Sequence, residues 1–457
     1  MKKSLYLLTV AVLIAAIVVT IGFSGCKATT AEETAAKTVT EETAAETVTE
    51  ETAAETVAEE KPLSGTIVIW KGPSAEDERG TVFNEVFDAF EKENPEVKIE
   101  FLNTPWSEIQ EKYTAAFASG NPPDLIYSFT GGYVDAVISQ CMDYNEVFTK
   151  EELAFMAKSI PENVMKEFII NKKLMGIPFL TAGTGLVYNI KMLADAGYAE
   201  PPQTWEEMLE MCKKLTKDLN NDGKTDVWGL GELGGTYPCT EFFINQAGAT
   251  LFNDDLTGLG YDNEMGKAAY EFMDKLWNIE KVAVPSGLYA SPMIRDAFFE
   301  GKFAMYRDYG EIRIIQQQNH PDFKMWVAPM PAGPGKNLCE GRGTYAGSGA
   351  WSIAKDTKNL EAVKKLLMYL YNPKYLPHIL QGLGMVSSRA EIDIEIDPFI
   401  KEMATGFLKY GVAYPFSPYI NEVREAVHKA GQSLQSGSIN AEEAFNQAVK
   451  FGKIAFK

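Results

Sequence analysis

The sequence predicts an α/β protein of two lobes, in which mixed, mostly parallel sheets are flanked by helices. Three observations carry this expectation. Short β-branched apolar runs alternate with stretches of helical apolar spacing from residue 66 onward, the pattern of a sheet covered on both faces. The same alternation starts again in the middle of the chain. Finally, about 395 residues remain once a leader and a linker are set aside, more than one ordinary hydrophobic core serves.

The leader is residues 1–25. Lys2 and Lys3 precede an apolar run from Leu5 to Ile21, broken only by Thr9 and Thr20, and Phe23-Ser24-Gly25-Cys26 follows. A basic start, an apolar middle and small residues before a cut make a secretory signal. Small residues ending on a cysteine resemble a lipobox, which makes Cys26 the lipidation site; a single membrane-spanning anchor is the other reading. Residues 26–63 form a spacer. Three nine-residue units, 33-ETAAKTVTE, 42-ETAAETVTE and 51-ETAAETVAE, hold no sizeable apolar side chain except valine. Such a charged, low-complexity segment builds no core and extends by self-repulsion.

The body opens with 66-TIVIW-70 as a buried strand. Val82, Phe83, Val86, Phe87 and Phe90 then recur at helical spacing up to Asn94-Pro95, and 97-VKIEFL-102 is a second strand. A helix from about Trp106 to Ala118 ends at Ser119-Gly120-Asn121-Pro122-Pro123, before a third strand, 124-DLIYSF-129. In the middle, 174-LMGIPFLTAGTGLVYN-189 reads as two short strands meeting at Thr181-Ala182-Gly183. The helix 203-QTWEEMLEMCKKLTKDL-219 starts at Thr204, with Glu207 three residues on, the spacing of a capping box. Further helices are expected around Lys267 to Ile279, from Leu360 to Tyr371, and in 421–431 and 441–456.

Composition excludes several functions. The formal net charge is -20, and losing Lys2 and Lys3 with the leader makes it more negative still. A surface of that sign repels phosphate backbones, so no nucleic-acid partner is expected. Three scattered histidines, His320, His378 and His428, give no catalytic motif. Cys141, Cys212, Cys239 and Cys339 lack CxxC spacing; outside the cytoplasm they could form two bridges in any of three connectivities.

The ordered segments 119-SGNPPDL-125, 176-GIPF-179, 187-VYN-189, 202-PQTWEEM-208, 300-EGKFAM-305, 329-PMPAGPG-335 and 352-SIAKDTKNLEAVKKLLMYL-370 resemble the extracellular solute-binding proteins that feed sugar ABC importers, the maltose-binding-protein-like family. The resemblance runs from about Gly65 to the C-terminus. It implies a two-lobe periplasmic-binding-protein fold of type II that closes on a sugar like a hinged trap. Crossings would fall near Thr181–Gly183, Pro329–Met330 and Ser387–Arg389. The first lobe would then be 64–182 with 330–388, and the second 183–329 with 389–457. It also implies a monomer, held to the outer face of a membrane by its lipid, that delivers sugar to an importer's transmembrane subunits and needs no cofactor and no catalytic residue.

Ligands of such sheets sit at the carboxyl ends of the strands, where a sugar needs aromatic faces and a few convergent polar groups. Trp70, Phe129, Tyr237, Tyr309 and Tyr419 are the candidate aromatics, with Tyr345 and Thr181 at the crossing segments. Glu76, Asp77, Asp308 and Glu311 are the candidate hydroxyl acceptors; Glu311 stands where many relatives carry an aromatic. A polyamine, polyol or glycerol phosphate is an alternative solute, and a secreted glycoside hydrolase with paired carboxylates is a different class of reading. In 218-DLNNDGKTDVWGL-230, Asp218, Asn220, Asp222, the Lys224 carbonyl and Asp226 offer five oxygens to a structural calcium, without the usual bidentate twelfth ligand. The same residues also suit a self-capped turn.

Overall fold

The computed structural model describes residues 63–71, 79–104, 106–131, 134–232, 240–289, 293–392, 395–415 and 417–457. The leader, the linker with Cys26, and Glu76, Asp77, Tyr237 and Cys239 lie outside the described residues.

In β1 (Gly65–Lys71) every second residue is buried, with Ile67 and Ile69 wholly enclosed. It runs parallel to β2 (Val97–Asn103) over its whole length and parallel to β3 (Leu125–Phe129). Helices Arg79–Glu93 and Trp106–Ala118 make the crossovers. All five residues of β3 are buried, as a central strand covered on both faces requires. A small hairpin, β4 (Ile169–Ile170) and β5 (Lys173–Leu174), turns on Asn171 and Lys172 with φ of 51° and 66°, the signature of a primed hairpin turn.

The expected pair of short strands at 174–189 is one continuous strand, β6 (Pro178–Asn189). Its first half pairs with the first lobe and its second half with β8 (Phe303–Tyr309) and β9 (Met325–Ala328). The strand changes partners at Gly183/Thr184 rather than breaking there. Gly183 is needed at that place because a Cβ would lie 2.3 Å from Phe407. On the second lobe, β7 (Trp228–Leu230) extends the sheet parallel to β8. With β10 (Thr344–Ile353) the full order is β2-β1-β3-β10-β6-β8-β7, a mixed sheet that passes through both lobes.

The second crossing lies further along the chain than Pro329–Met330. After β9, the Ala332 carbonyl accepts from Trp205 N at 3.0 Å and Gly335 N donates to the Gln246 carbonyl at 3.0 Å, so this segment stays on the second lobe. The return is β10 (Thr344–Ile353). Its start pairs with β12 (Gly411–Val412), and its end pairs antiparallel with β3. β11 (Val386–Ser387) pairs with β6, and Arg389 Nη1 still donates to the first-lobe Tyr371 carbonyl at 2.6 Å. The chain then enters helix Pro398–Tyr410, which packs on β6 and β9.

Trp351 anchors the first core, stacked on Phe179 at 6.0 Å and edge-on to Phe83 at 5.8 Å. Trp205 anchors the second, stacked on Phe272 at 4.2 Å with its Nε1 donating to Gln246 at 2.7 Å. Thr204 caps its helix by accepting from Glu207 N, but Glu207 reaches back to Gln203 N instead of Thr204 N, so only half of the expected capping box forms. The helix expected at Lys267 starts at Glu264, because Asn263 accepts from Met265 N and Gly266 N. It continues into a π-helical turn, Lys275–Ile279. Cys141 and Cys212 are buried and free, which removes the expectation of two bridges.

Candidate functional site

The carboxyl end of β3 continues into Thr130 and Gly131, and these meet the second lobe where helices Thr240–Gln246 and Ile420–Gln435 approach β10. Helix Thr240–Gln246 is buried at all seven positions, so any polar group on it must be satisfied from within. Glu241 is fully buried and accepts from Arg424 Nε at 2.8 Å. Arg424 Nη1 donates to the Gly131 carbonyl of the first lobe. Neither amide atom of Asn245, one helical turn further on, has a hydrogen-bond partner among the described residues, and the carboxylate of Glu241 also faces the Tyr414 hydroxyl.

Aromatic rings complete the enclosure. Tyr414 lies against the Arg424 guanidinium at 5.2 Å and stacks on Tyr345 at 5.5 Å. Tyr345 donates its hydroxyl to the Thr130 carbonyl at 2.5 Å. Tyr309 meets Tyr345 edge-on at 6.4 Å, and the Arg307 guanidinium covers the Phe242 ring at 3.8 Å. Burial pushes the Tyr309 hydroxyl up to about 12. Burial first, and the Glu241 charge second, hold Tyr414 well above the ordinary tyrosine range. Both therefore remain neutral hydroxyls. Flat apolar faces thus stand beside desolvated polar edges between the two lobes, the furnishing of a small-molecule pocket.

Of the residues expected at the mouth, Phe129, Tyr309 and Tyr345 are brought together; Phe129 lies 6.1 Å from the Tyr345 ring. Others are placed elsewhere. The Trp70 ring stacks on Tyr113 at 6.2 Å within the first lobe. Thr181 bonds Ser388 at 3.0 Å and borders a small cavity with Tyr309 and Phe407. The Tyr419 ring packs on Phe456 at 4.9 Å, inside the second lobe.

Asp308 and Glu311, expected as hydroxyl acceptors, are both engaged by an arginine. Asp308 is fully buried and accepts from Arg295 Nε and Nη2 at 2.9 and 2.8 Å, from Tyr306 at 2.5 Å and from Tyr309 N at 2.7 Å. Glu311 accepts from Arg295 Nη1 at 2.8 Å. One arginine, from the helix before β8, engages both carboxylates. Sequence reasoning missed Glu241, Asn245, Arg307, Tyr414 and Arg424. Of these only Glu241 carried a signal, as a lone charge in the apolar run 241-EFFINQAG-248.

In the 218–226 loop, the Asp218 carboxylate accepts from Asp222 N and Gly223 N, Asn220 Oδ1 from Asp222 N, Asp222 Oδ1 from Lys224 N and Asp226 Oδ2 from Leu219 N. These are turn-capping bonds. Among the described residues no group of three or more His, Cys, Asp or Glu is gathered closely enough to hold a metal.

Two lobes joined by crossing strands, with aromatic rings and desolvated polar groups where they meet, are the architecture of a solute-binding protein. The chain belongs to the family of bacterial extracellular solute-binding proteins, whose model matches residues 74–376. A putative binding protein of Brucella abortus (strain 2308) is 25% identical over 368 residues, covering 78% of this chain and 85% of that one. An ABC transporter solute-binding protein from Thermotoga lettingae TMO, solved with α-D-tagatose, superposes with a TM-score of 0.74 at 23% identity, covering 86% and 100%. The maltose/maltodextrin-binding domain MalE from Bdellovibrio bacteriovorus, solved with maltotriose, superposes with a TM-score of 0.70 at 21% identity, covering 85% and 99%.

Proposed function

We propose that this protein captures a sugar or oligosaccharide between its lobes and delivers it to the transmembrane subunits of an ABC importer, without turnover. The observation that carries this reading is the buried edge formed by Glu241 and Asn245 beside the stacked Tyr345–Tyr414 pair. A whole buried amide without partners among the described residues, beside a buried carboxylate, would cost stability. Sugar hydroxyls, each both donor and acceptor, match them. Charge favours a neutral ligand: Arg424 offsets Glu241, and Arg295 together with Arg307, which stands by Tyr309 with Asp308 and Glu311, offsets those two carboxylates. A polyamine or a glycerol phosphate would leave that balance uncompensated. The bound sugars of the two structural relatives support the same class.

We further propose that Cys26 carries a lipid and the Thr/Ala/Glu spacer holds the folded body off the outer face of the membrane. No helix among the described residues is long and apolar enough to cross a membrane. The test of function is a thermal-shift screen with α-D-tagatose, maltotriose, other mono- and oligosaccharides, sugar acids, polyols and polyamines. A saccharide should raise the melting temperature by mass action and be recovered intact. Response to a polyamine alone, or product released in proportion to protein, contradicts the reading.

A further inference from the structure

Arg424 is held from both sides of the cleft. From the second lobe, Glu241 accepts its Nε at 2.8 Å, and the two side chains are 0% and 11% exposed. From the first lobe, the Gly131 carbonyl accepts its Nη1. Gly131 has φ of +112°, a conformation that side-chain-bearing residues avoid. A Cβ there would lie in van der Waals contact with Tyr345 and Tyr414, at 3.4 and 3.5 Å. The Tyr345 hydroxyl bonds the preceding carbonyl, at Thr130, and its ring stacks on Tyr414. Two adjacent first-lobe carbonyls are thus taken by a tyrosine on a crossing strand and by an arginine on the second lobe.

We propose that Arg424 is a positioning residue that latches the lobes together. Glu241 fixes the guanidinium by one edge, and the other edge makes a charge-assisted bond to the Gly131 carbonyl when the lobes are together and loses it when they part. The planar guanidinium fork serves both partners at once; a lysine ammonium, a point charge on a flexible stem, does not. A bond made in only one of two arrangements shifts the population toward that arrangement. The latch deepens the binding reading, since it sits in the same cleft, but it acts in the protein without any solute.

Hydrogen–deuterium exchange of the full-length protein, with no sugar added, tests it. In Arg424→Ala, amides around Phe129–Gly131 and around Tyr414 are expected to exchange about tenfold faster than in wild type, the scale of one lost charge-assisted bond. Peptides covering the outer strand Val97–Asn103 should exchange as before. Arg424→Lys should behave like the alanine variant. Glu241→Gln, which keeps an acceptor for Nε, should show a smaller rise. Unchanged exchange at Phe129–Gly131 in the alanine variant overturns the latch. A rise of equal size across Val97–Asn103 overturns it too, because it marks general loosening. A separate thermal-shift titration with maltotriose reports on the sugar reading alone, so failure of one does not stand for failure of the other.

Discussion

Asp308 and Arg295 form a two-bonded ion pair, at 2.9 and 2.8 Å, that removes from the cleft a carboxylate whose position in sequence puts it at the mouth. The pair holds the end of β8 to the helix before it, so its role is stability. Removing one partner leaves the other charge buried and unpaired, which costs about 3–5 kcal/mol. Asp308→Ala should therefore lower the urea midpoint sharply while leaving the order of preference among saccharides unchanged. A reordering of that preference would return Asp308 to the binding site.

The continuous strand β6 makes a prediction about packing. Any side chain at Gly183 overlaps Phe407, with a Cβ only 2.3 Å from it. Gly183→Ala should cost about 1–3 kcal/mol through overpacking. Adding Phe407→Leu should recover part of that loss, a coupling between neighbours that a double-mutant cycle reads directly. Additive effects would mean that the two sites do not touch.

Glu167 gives a pH dependence. Burial raises its carboxyl to about 7, against the lowering effect of Ser348 on β10. The folded state thus holds a proton that the unfolded state releases near the ordinary glutamate value. Stability contributed here is full below that ordinary value and is lost as pH rises toward 7; above 7 the loss is constant. Melting temperatures across pH 4.5–8 should fall less steeply in Glu167→Gln than in wild type, and identical slopes would contradict the assignment.

Calcium at the 218–226 loop is a proposal for weak binding. The loop's oxygens already accept backbone amides, so an ion would have to draw Asp218, Asp222 and Asp226 closer together. After chelator treatment, added calcium should raise the melting temperature only at concentrations of about 10⁻⁴–10⁻³ M, the range of extracellular modules. No rise at such concentrations leaves the loop as a turn and nothing more.

Cys26→Ser should abolish metabolic labelling by palmitate in a bacterial host and move the protein from the membrane fraction to the medium or periplasm. Retained labelling would show that acylation occurs elsewhere.

The alternation of strands and helices was readable from residue 66 onward because apolar period and strand length are local properties. The Thr204 cap was readable for the same reason. What sequence misplaced depends on distant partners. Thr181-Ala182-Gly183 looks like a break because small residues weaken a strand, yet β10 on one half and β8 on the other keep it extended. Arg424 sits in 421-NEVREAV-427, where charge at helical spacing resembles a solvated face. Its partners are 183 residues away at Glu241 and 293 away at Gly131, and no local pattern encodes them. The Asp308 partner is hidden for the converse reason: Arg295, which pairs with it, comes from a neighbouring helix whose packing angle the sequence does not state.

The proposal that a neutral saccharide is held between the lobes rests most heavily on the buried Glu241. Calorimetric titration of a saccharide panel containing α-D-tagatose and maltotriose, into wild type and Glu241→Ala, tests it most directly. The expected result is one-to-one binding of at least one saccharide to wild type, weakened by about tenfold or more in the variant. Absence of binding by every saccharide while a polyamine or glycerol phosphate binds, or a saccharide affinity indifferent to Glu241→Ala, would contradict it.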